Sequence, residues 1–327
     1  MTIARLASCL SIAALSAALP LSVAAQDTPS VAFVPQLIGI PYFNAMENGG
    51  NAAAEDLGMQ FIYQGPVDAN PLDQLQIVES LISRGVDAIA VSVLDASAIA
   101  PLVDSAASQD AILFTSDSDA ADSGRPVYVA QATDEGLGFK LIDELVARVG
   151  DDATIGIVSG EATASNLNAW IGFMRDRVAA EYPGVTLLDP EFAGGTAERA
   201  AQLSTDLIAA HPDLDAIIAV ASSTCPGVAQ AIETSGKEIM GTGYCSPNTA
   251  RAYLKSGAFG FTVLWDPYQL GYLTVWAGKQ LIDGAGFAAE NEVPTFDAPV
   301  TFDAETGILL LGEPFVFTAE NVDDFDF

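Results

Sequence analysis

Positive charge is scarce in this chain: 12 Lys and Arg stand against 43 Asp and Glu, a formal charge of −31 at pH 7. Nucleic acid and anionic lipid repel a polyanion of that size, which excludes both as partners. The acid excess itself reads as a solvated surface. Histidine is nearly absent. His211, in AAHPDLD, precedes a proline where a helix should end, so Ser-His-Asp and Cys-His catalysis lack a base. Cysteine is also sparse, with only Cys9, Cys225 and Cys245, too few for a zinc site. Neither G-x-S-x-G nor G-x-x-x-x-G-K-[ST] occurs, and no strand is followed by G-x-G-x-x-G, so no nucleotide cofactor is expected. The acids of DSDAADSG fall at Asp117, Asp119 and Asp122, out of register for a calcium loop, so no metal is expected there.

What is present points to a folded, exported protein. Half of the 327 residues are hydrophobic and 17% are charged, which excludes disordered and collagen-like classes. The length suits two domains better than one. Residues 1–25 carry Arg5, an apolar stretch and then Val23-Ala24-Ala25 in a small-x-small pattern, the form of a cleavable export signal. Four serines and Pro20 interrupt the stretch and argue against a retained anchor. The mature chain should begin near Gln26. Cys9 precedes most of the apolar stretch, unlike a lipoprotein cysteine. Cys225 and Cys245 remain, each after an expected strand, DAIIAV and EIMGTGY. If these strands are neighbours in a parallel sheet, an oxidising compartment joins the two cysteines in a structural disulfide.

Short Val- and Ile-rich runs alternate with stretches of helical period, the pattern of open parallel sheets covered on both faces by helices. VAFVP, FIYQG, DAIAVSV and AILFTS are strands, and TIGIVSG, VTLLD, DAIIAV and EIMGTGY repeat the series. Leu75, Val78, Leu81 and Ile82 share one face of a helix expected over Pro71–Gly85, and another is expected over Asp134–Val149. The segment beginning at Asp87 matches the one beginning at Asp215 in strand, helix and strand order. Two similar α/β units should therefore face each other across a cleft, each presenting loops at the carboxyl ends of its strands, where such sheets bind ligands. Gln36, Tyr42, Phe43, Asp117 and Asp119 fall at those ends in the first unit. Asn166, Leu167 and the Tyr244 region are their counterparts in the second, and Asp266 ends a further strand. Carboxylates, amides and aromatic faces gathered at a cleft suit a polyhydroxylated ligand, because carboxylates accept hydroxyls and rings cover a sugar's apolar face.

The segments LWDPYQLGYLTVWAGKQL, GYCSPN and ENVDDFDF, with the two-unit pattern and the export signal, resemble the periplasmic solute-binding proteins of ABC sugar importers. The resemblance is to the rhamnose and autoinducer-2 branch of the type I class. It implies an α/β fold of two Rossmann-like lobes joined by three crossovers. The first lobe would hold 26–131 and about 265–290, the second 132–264 and about 291–327. It further implies a non-enzymatic, monomeric periplasmic protein that delivers a small ligand to a membrane permease, and in some members to a chemoreceptor. By position, Asp117 and Asp266 match ligand-binding carboxylates. Gln36 falls where autoinducer-2 binders have a lysine, Asn166 and Leu167 where they have an Asp-Gln pair, and Val220 and Ser222 where they have proline and alanine. Losing those contacts turns the expected ligand toward a neutral monosaccharide or sugar alcohol, with autoinducer-2 as the alternative. Trp170 of Asn168-Ala169-Trp170 is assigned to helix packing.

Two other classes remain to be separated. A secreted sugar-processing enzyme would need a carboxylate pair about 5 to 10 Å apart, which Asp117 and Asp266 could form. A sugar-responsive transcription regulator would carry a basic helix-turn-helix at the position that holds the export signal.

Overall fold

A computed structural model describes residues 28–327. The expected export signal at 1–25, with Cys9, lies outside the described residues. The first sheet begins with β1 (Ser30–Val34), α1 (Pro41–Leu57), β2 (Gln60–Tyr63), α2 (Pro71–Ser83), β3 (Ala88–Val91), α3 (Ala96–Ala107), β4 (Ile112–Ser116) and β5 (Tyr128–Ala130). The chain then crosses to a second sheet through α4 (Asp134–Val149), β6 (Thr154–Ser159), α5 (Ser165–Glu181), β7 (Thr186–Leu187) and β8 (Glu191–Phe192). That side continues through α6 (Ala197–Ala210), β9 (Leu214–Ala219), α7 (Cys225–Ser235), β10 (Met240–Gly243), α8 (Pro247–Ser256) and β11 (Thr262–Leu264). Helix α9 (Pro267–Ile282) returns the chain to the first sheet, followed by β12 (Glu290–Asn291), β13 (Val300–Asp303), β14 (Ile308–Leu310) and finally β15 (Phe315–Phe317).

The first sheet runs β12-β13-β14-β5-β4-β3-β1-β2, parallel from β14 to β2. The second runs β10-β9-β6-β7, with β8 also on β6, and all its pairings are parallel. Strands β1 and β3 are buried at every position, as parallel strands sandwiched by helices must be. The helix starts follow local chemistry. Asn70 accepts the Leu72 and Asp73 amides ahead of Pro71, and Thr133 accepts that of Gly136; such caps satisfy amides that the first turn leaves unpaired. Helix α4 spans its expected residues, whereas α2 stops at Ser83, two residues short of Gly85. VTLLD yields only the two-residue β7 at the edge of its sheet.

One placement differs from the sequence expectation. Residues 290–310, expected with about 291–327 in the second lobe, form β12–β14 and extend the first sheet, with β14 running parallel to β5. No local sequence pattern says which sheet edge these residues join. The tail departs afterwards, and β15 pairs antiparallel with β11. The chain thus crosses between the two sides at 131–133, 265–266 and 311–314.

Helices α1 and α9 meet almost backbone to backbone. A Cβ on Gly49 would lie 1.9 Å from the Tyr268 carbonyl oxygen, and one on Gly271 would lie 2.0 Å from that of Met46. This contact sets where the two helix starts, and the side chains just ahead of them, come to rest.

Candidate functional site

Where the carboxyl ends of both sheets face each other lies a cavity of about 50 Å³, within a cleft whose empty space, open solvent included, is about 420 Å³. Gln36, Tyr42, Phe43 and Asp117 line it from the first side, Asn166, Leu167, Ser222 and Tyr244 from the second, and Trp265 from the crossing segment. Gln36, Tyr42, Phe43, Asp117, Asn166, Leu167 and Ser222, each singled out from sequence, therefore share one cavity.

Asp117 is its electrostatic centre. It follows β4 with φ at +70°, a left-handed conformation uncommon for a residue with a side chain and held only by surrounding structure. Its amide donates to the Val129 carbonyl at 3.1 Å, while the Tyr128 hydroxyl donates to its own carbonyl at 3.0 Å. The carboxylate accepts from the Tyr42 hydroxyl and, at 2.5 Å, from Ser92 Oγ. Only 3% of Asp117 is exposed, and among the described residues no lysine or arginine lines the cavity. Burial pushes the carboxyl up to about 6, although the Ser92 and Tyr42 hydrogen bonds pull it back.

Aromatic rings form the remaining wall and join the two sides. Trp265 Nε1 donates to the Tyr42 hydroxyl at 3.1 Å, and the ring pairs Phe43–Tyr42, Tyr42–Trp265, Trp265–Trp170 and Trp170–Tyr244 have centroids 4.9, 5.8, 5.7 and 4.7 Å apart. Trp170 does pack in its helix, as expected, and it also lines the cavity. Its indole donates to Asp134 at 2.8 Å. Burial drives the Tyr42 and Tyr244 phenols well upward, so both stay protonated donors. Two buried polar atoms on the second side, Asn166 Oδ1 and the Tyr244 hydroxyl, have no partner in the protein. Unpaired buried polar atoms are costly; here they face a space in which a ligand hydroxyl can meet them. Gln36 Nε2 makes one long bond to the Val93 carbonyl, 3.3 Å, and Ser222 Oγ donates to the Tyr244 carbonyl at 2.8 Å.

Asp266, expected at the site, lies outside this cavity. Its carboxylate caps α9, accepting from the Tyr268 and Gln269 amides at 2.8 and 3.1 Å, and it lies on a separate pocket with Asn48 and Phe327. The preceding residue, Trp265, faces the cavity instead. The signal was present in LWDPYQ, because an Asp directly before Pro is the pattern of an N-cap followed by Pro at the first helical position. Asp119 is likewise committed elsewhere, in an ion pair of 2.6 Å with Arg125. Asp266→Ala should cost about 1 kcal/mol of stability as a lost cap and leave ligand affinity within twofold of the wild type. Calorimetric titration beside a urea melt checks this, and abolished binding would return Asp266 to the site.

The expected disulfide forms between Cys225 and Cys245, whose Cα atoms are 6.1 Å apart. As anticipated, β9 and β10 are parallel neighbours. Among the described residues no helix is long and apolar enough to cross a membrane, and no group of three or more His, Cys, Asp or Glu is placed to hold a metal.

Comparison with known proteins agrees with this architecture. The ribose import binding protein RbsB of Salmonella typhimurium is 25% identical over 295 residues, covering 90% of this chain and 97% of that protein. The D-ribose/D-allose-binding protein of Pseudomonas aeruginosa is 26% identical over 271 residues, 77% of this chain and 83% of its own. Among solved structures, LsrB from Clostridium saccharobutylicum in complex with AI-2 superposes with a TM-score of 0.85 at 27% identity, covering 91% of this chain and all of that one. An ABC transporter solute-binding protein from Clostridium phytofermentas with bound L-rhamnose gives the same TM-score at 26% identity, covering 91% and 98%. The family model described as a periplasmic binding protein domain matches residues 31–286. With that match running from β1 to beyond α9, the chain belongs to the periplasmic binding protein domain family.

Proposed function

We propose that this protein captures a small neutral sugar, a rhamnose-like monosaccharide or a sugar alcohol, between its lobes and delivers it to the permease of an ABC importer. It acts in the periplasm as a monomer. The observation that carries the reading is the interlobe cavity itself: one buried carboxylate on the first side, an unpartnered amide oxygen and phenol on the second, and aromatic walls between them. Carboxylate and amide take up hydroxyls while the rings cover C–H faces. A bound L-rhamnose in one structural relative supports the ligand class. Autoinducer-2, the ligand of another, with presentation to a chemoreceptor, is the alternative, and a binding screen decides between them. Hydrolysis is disfavoured because Asp266, the second carboxylate of any such pair, caps α9 outside the cavity.

The test is a thermal-shift screen of purified protein against L-rhamnose, D-ribose, sugar alcohols and autoinducer-2. A ligand at 100 times its Kd stabilises by about 2.7 kcal/mol, a midpoint rise of several degrees. No shift with any of them would reject the reading. Closure is a second expected result. A cavity with about 50 Å³ open to a water centre does not load a sugar without the lobes parting, so ligand-free protein should populate an open form that the ligand closes. Small-angle scattering should report a smaller radius of gyration at saturating ligand; an unchanged profile despite binding would place the site within one lobe.

A further inference from the structure

We infer that the Cys225–Cys245 disulfide positions the ligand-facing wall of the second lobe, in addition to stabilising the fold. The bridge spans two loops that both reach the cavity. Cys225 opens α7 immediately after the loop 220–224, and Cys245 follows Tyr244. Ala221, Ser222, Ser223 and Tyr244 all line the cavity.

The neighbouring strands do not need the bridge. β9 and β10 are already joined by a parallel ladder whose last rung is the Tyr244 amide to the Ala219 carbonyl, 3.0 Å. They approach so closely that a Cβ on Gly243 would lie 1.9 Å from the Ala219 oxygen. Beyond that rung the ladder ends. Among the described residues, the amides of Ala221, Ser222 and Ser223 donate to no acceptor within the protein, so this stretch carries free donors beside the cavity. Two cross-links tie it to the Tyr244 loop: the Ser222 Oγ bond to the Tyr244 carbonyl, 2.8 Å, and the disulfide.

A loop with free amides samples many conformations unless it is clamped, and each lost conformation is a cost that binding would otherwise bear. The bridge removes that cost before the ligand arrives. It also holds Tyr244 against Trp170, with ring centroids 4.7 Å apart, so the phenol that faces the ligand keeps one position. Both cysteines are fully buried, so the folded protein shields the bond from reductants in solution. The bridge therefore acts as a permanent clamp and not as a redox switch.

The inference rests on the sugar-binding reading for its affinity test and is independent of it for its dynamic test. In Cys225→Ala/Cys245→Ala, far-ultraviolet circular dichroism should match the wild type. In the ligand-free protein, hydrogen exchange at the bonded amides that flank the free ones, Val220, Thr224 and Tyr244, should be at least tenfold faster. Affinity for L-rhamnose, measured well below both melting midpoints, should fall at least tenfold. Ser222→Ala should weaken binding more in the unbridged protein, where it removes the last of the two cross-links, than in the bridged one, where the disulfide remains. That non-additivity is a readout which a purely stabilising bridge does not produce. If the alanine pair fails to fold, Cys225→Val/Cys245→Ala refills the space and takes its place. A lowered midpoint with unchanged exchange and unchanged affinity overturns the inference. If the wild type binds none of the screened ligands, the proposed function fails, and the exchange rates alone decide for or against the clamp.

Discussion

Asp117→Ala is expected to weaken ligand binding at least 100-fold while circular dichroism stays unchanged. Among the described residues it is the only carboxylate lining the cavity, and its oxygens already hold the Tyr42 and Ser92 hydroxyls. Truncation strands those two donors and every ligand hydroxyl that used the carboxylate, at about 1–3 kcal/mol per unmet group. Two lost ligand bonds amount to about 2–6 kcal/mol, a range that spans the roughly 2.7 kcal/mol of a 100-fold change in Kd. Asp117→Asn keeps the shape and one acceptor, so its loss should be smaller. Calorimetric titration settles this, and micromolar affinity retained in the alanine variant would remove Asp117 from the site.

The same carboxyl predicts a pH dependence with two opposite signs. Its folded value, about 6, lies above the 3.8 it has when unperturbed, so the native protein holds this proton more tightly than the unfolded chain. Stability from this group is therefore complete below the unfolded value and is lost as pH rises through about 6, a change on the order of 3 kcal/mol. Ligand affinity should run the other way, since hydroxyls donate to the ionised form, and it should increase between about pH 5 and pH 7. Asp117→Asn should flatten both curves. Urea melts and titrations across that range measure them, and identical pH profiles in variant and wild type would show that another group titrates.

Gly271→Val should destabilise the protein by about 3 kcal/mol or more and weaken binding as well. Overpacking in a well-packed interior costs about 1–3 kcal/mol when side chains can yield. Here the obstacle is the Met46 backbone: its carbonyl oxygen sits 2.0 Å from the position of the new Cβ. Only separation of α1 from α9 relieves that contact. Tyr42 lies at the start of α1 and Trp265 just ahead of α9, so separation stretches the 3.1 Å bond between indole and phenol that holds the cavity wall. A urea melt gives the stability change, and tryptophan fluorescence of the folded variant reports the altered indole environment. A wild-type melt would mean that the helices slide without penalty.

Much of the architecture was legible before folding was considered. Alternating Val-Ile runs and helical stretches carry the parallel sheets, and the internal repeat carries their number, because periodicity records which faces a segment must bury. Tyr42, Asp117 and Asn166 were legible by their placement at strand ends, where the geometry of open sheets gathers side chains from distant parts of the chain, and Ser222 through the family resemblance. The disulfide was legible from two cysteines that each follow one of two similar strands. Three features needed the tertiary structure. The edge that β12–β14 join depends on a pairing with β5 more than 150 residues away in sequence, and no local pattern records such a partner. Asp266 and Trp265 are adjacent, and although the Asp-Pro pair signals the cap of α9, the placement of Trp265 against Tyr42 and Trp170 depends on helices distant in sequence. Asp117 owes its raised pKa to burial beneath residues from elsewhere in the chain, since desolvation is a property of the assembled neighbourhood and not of the residue.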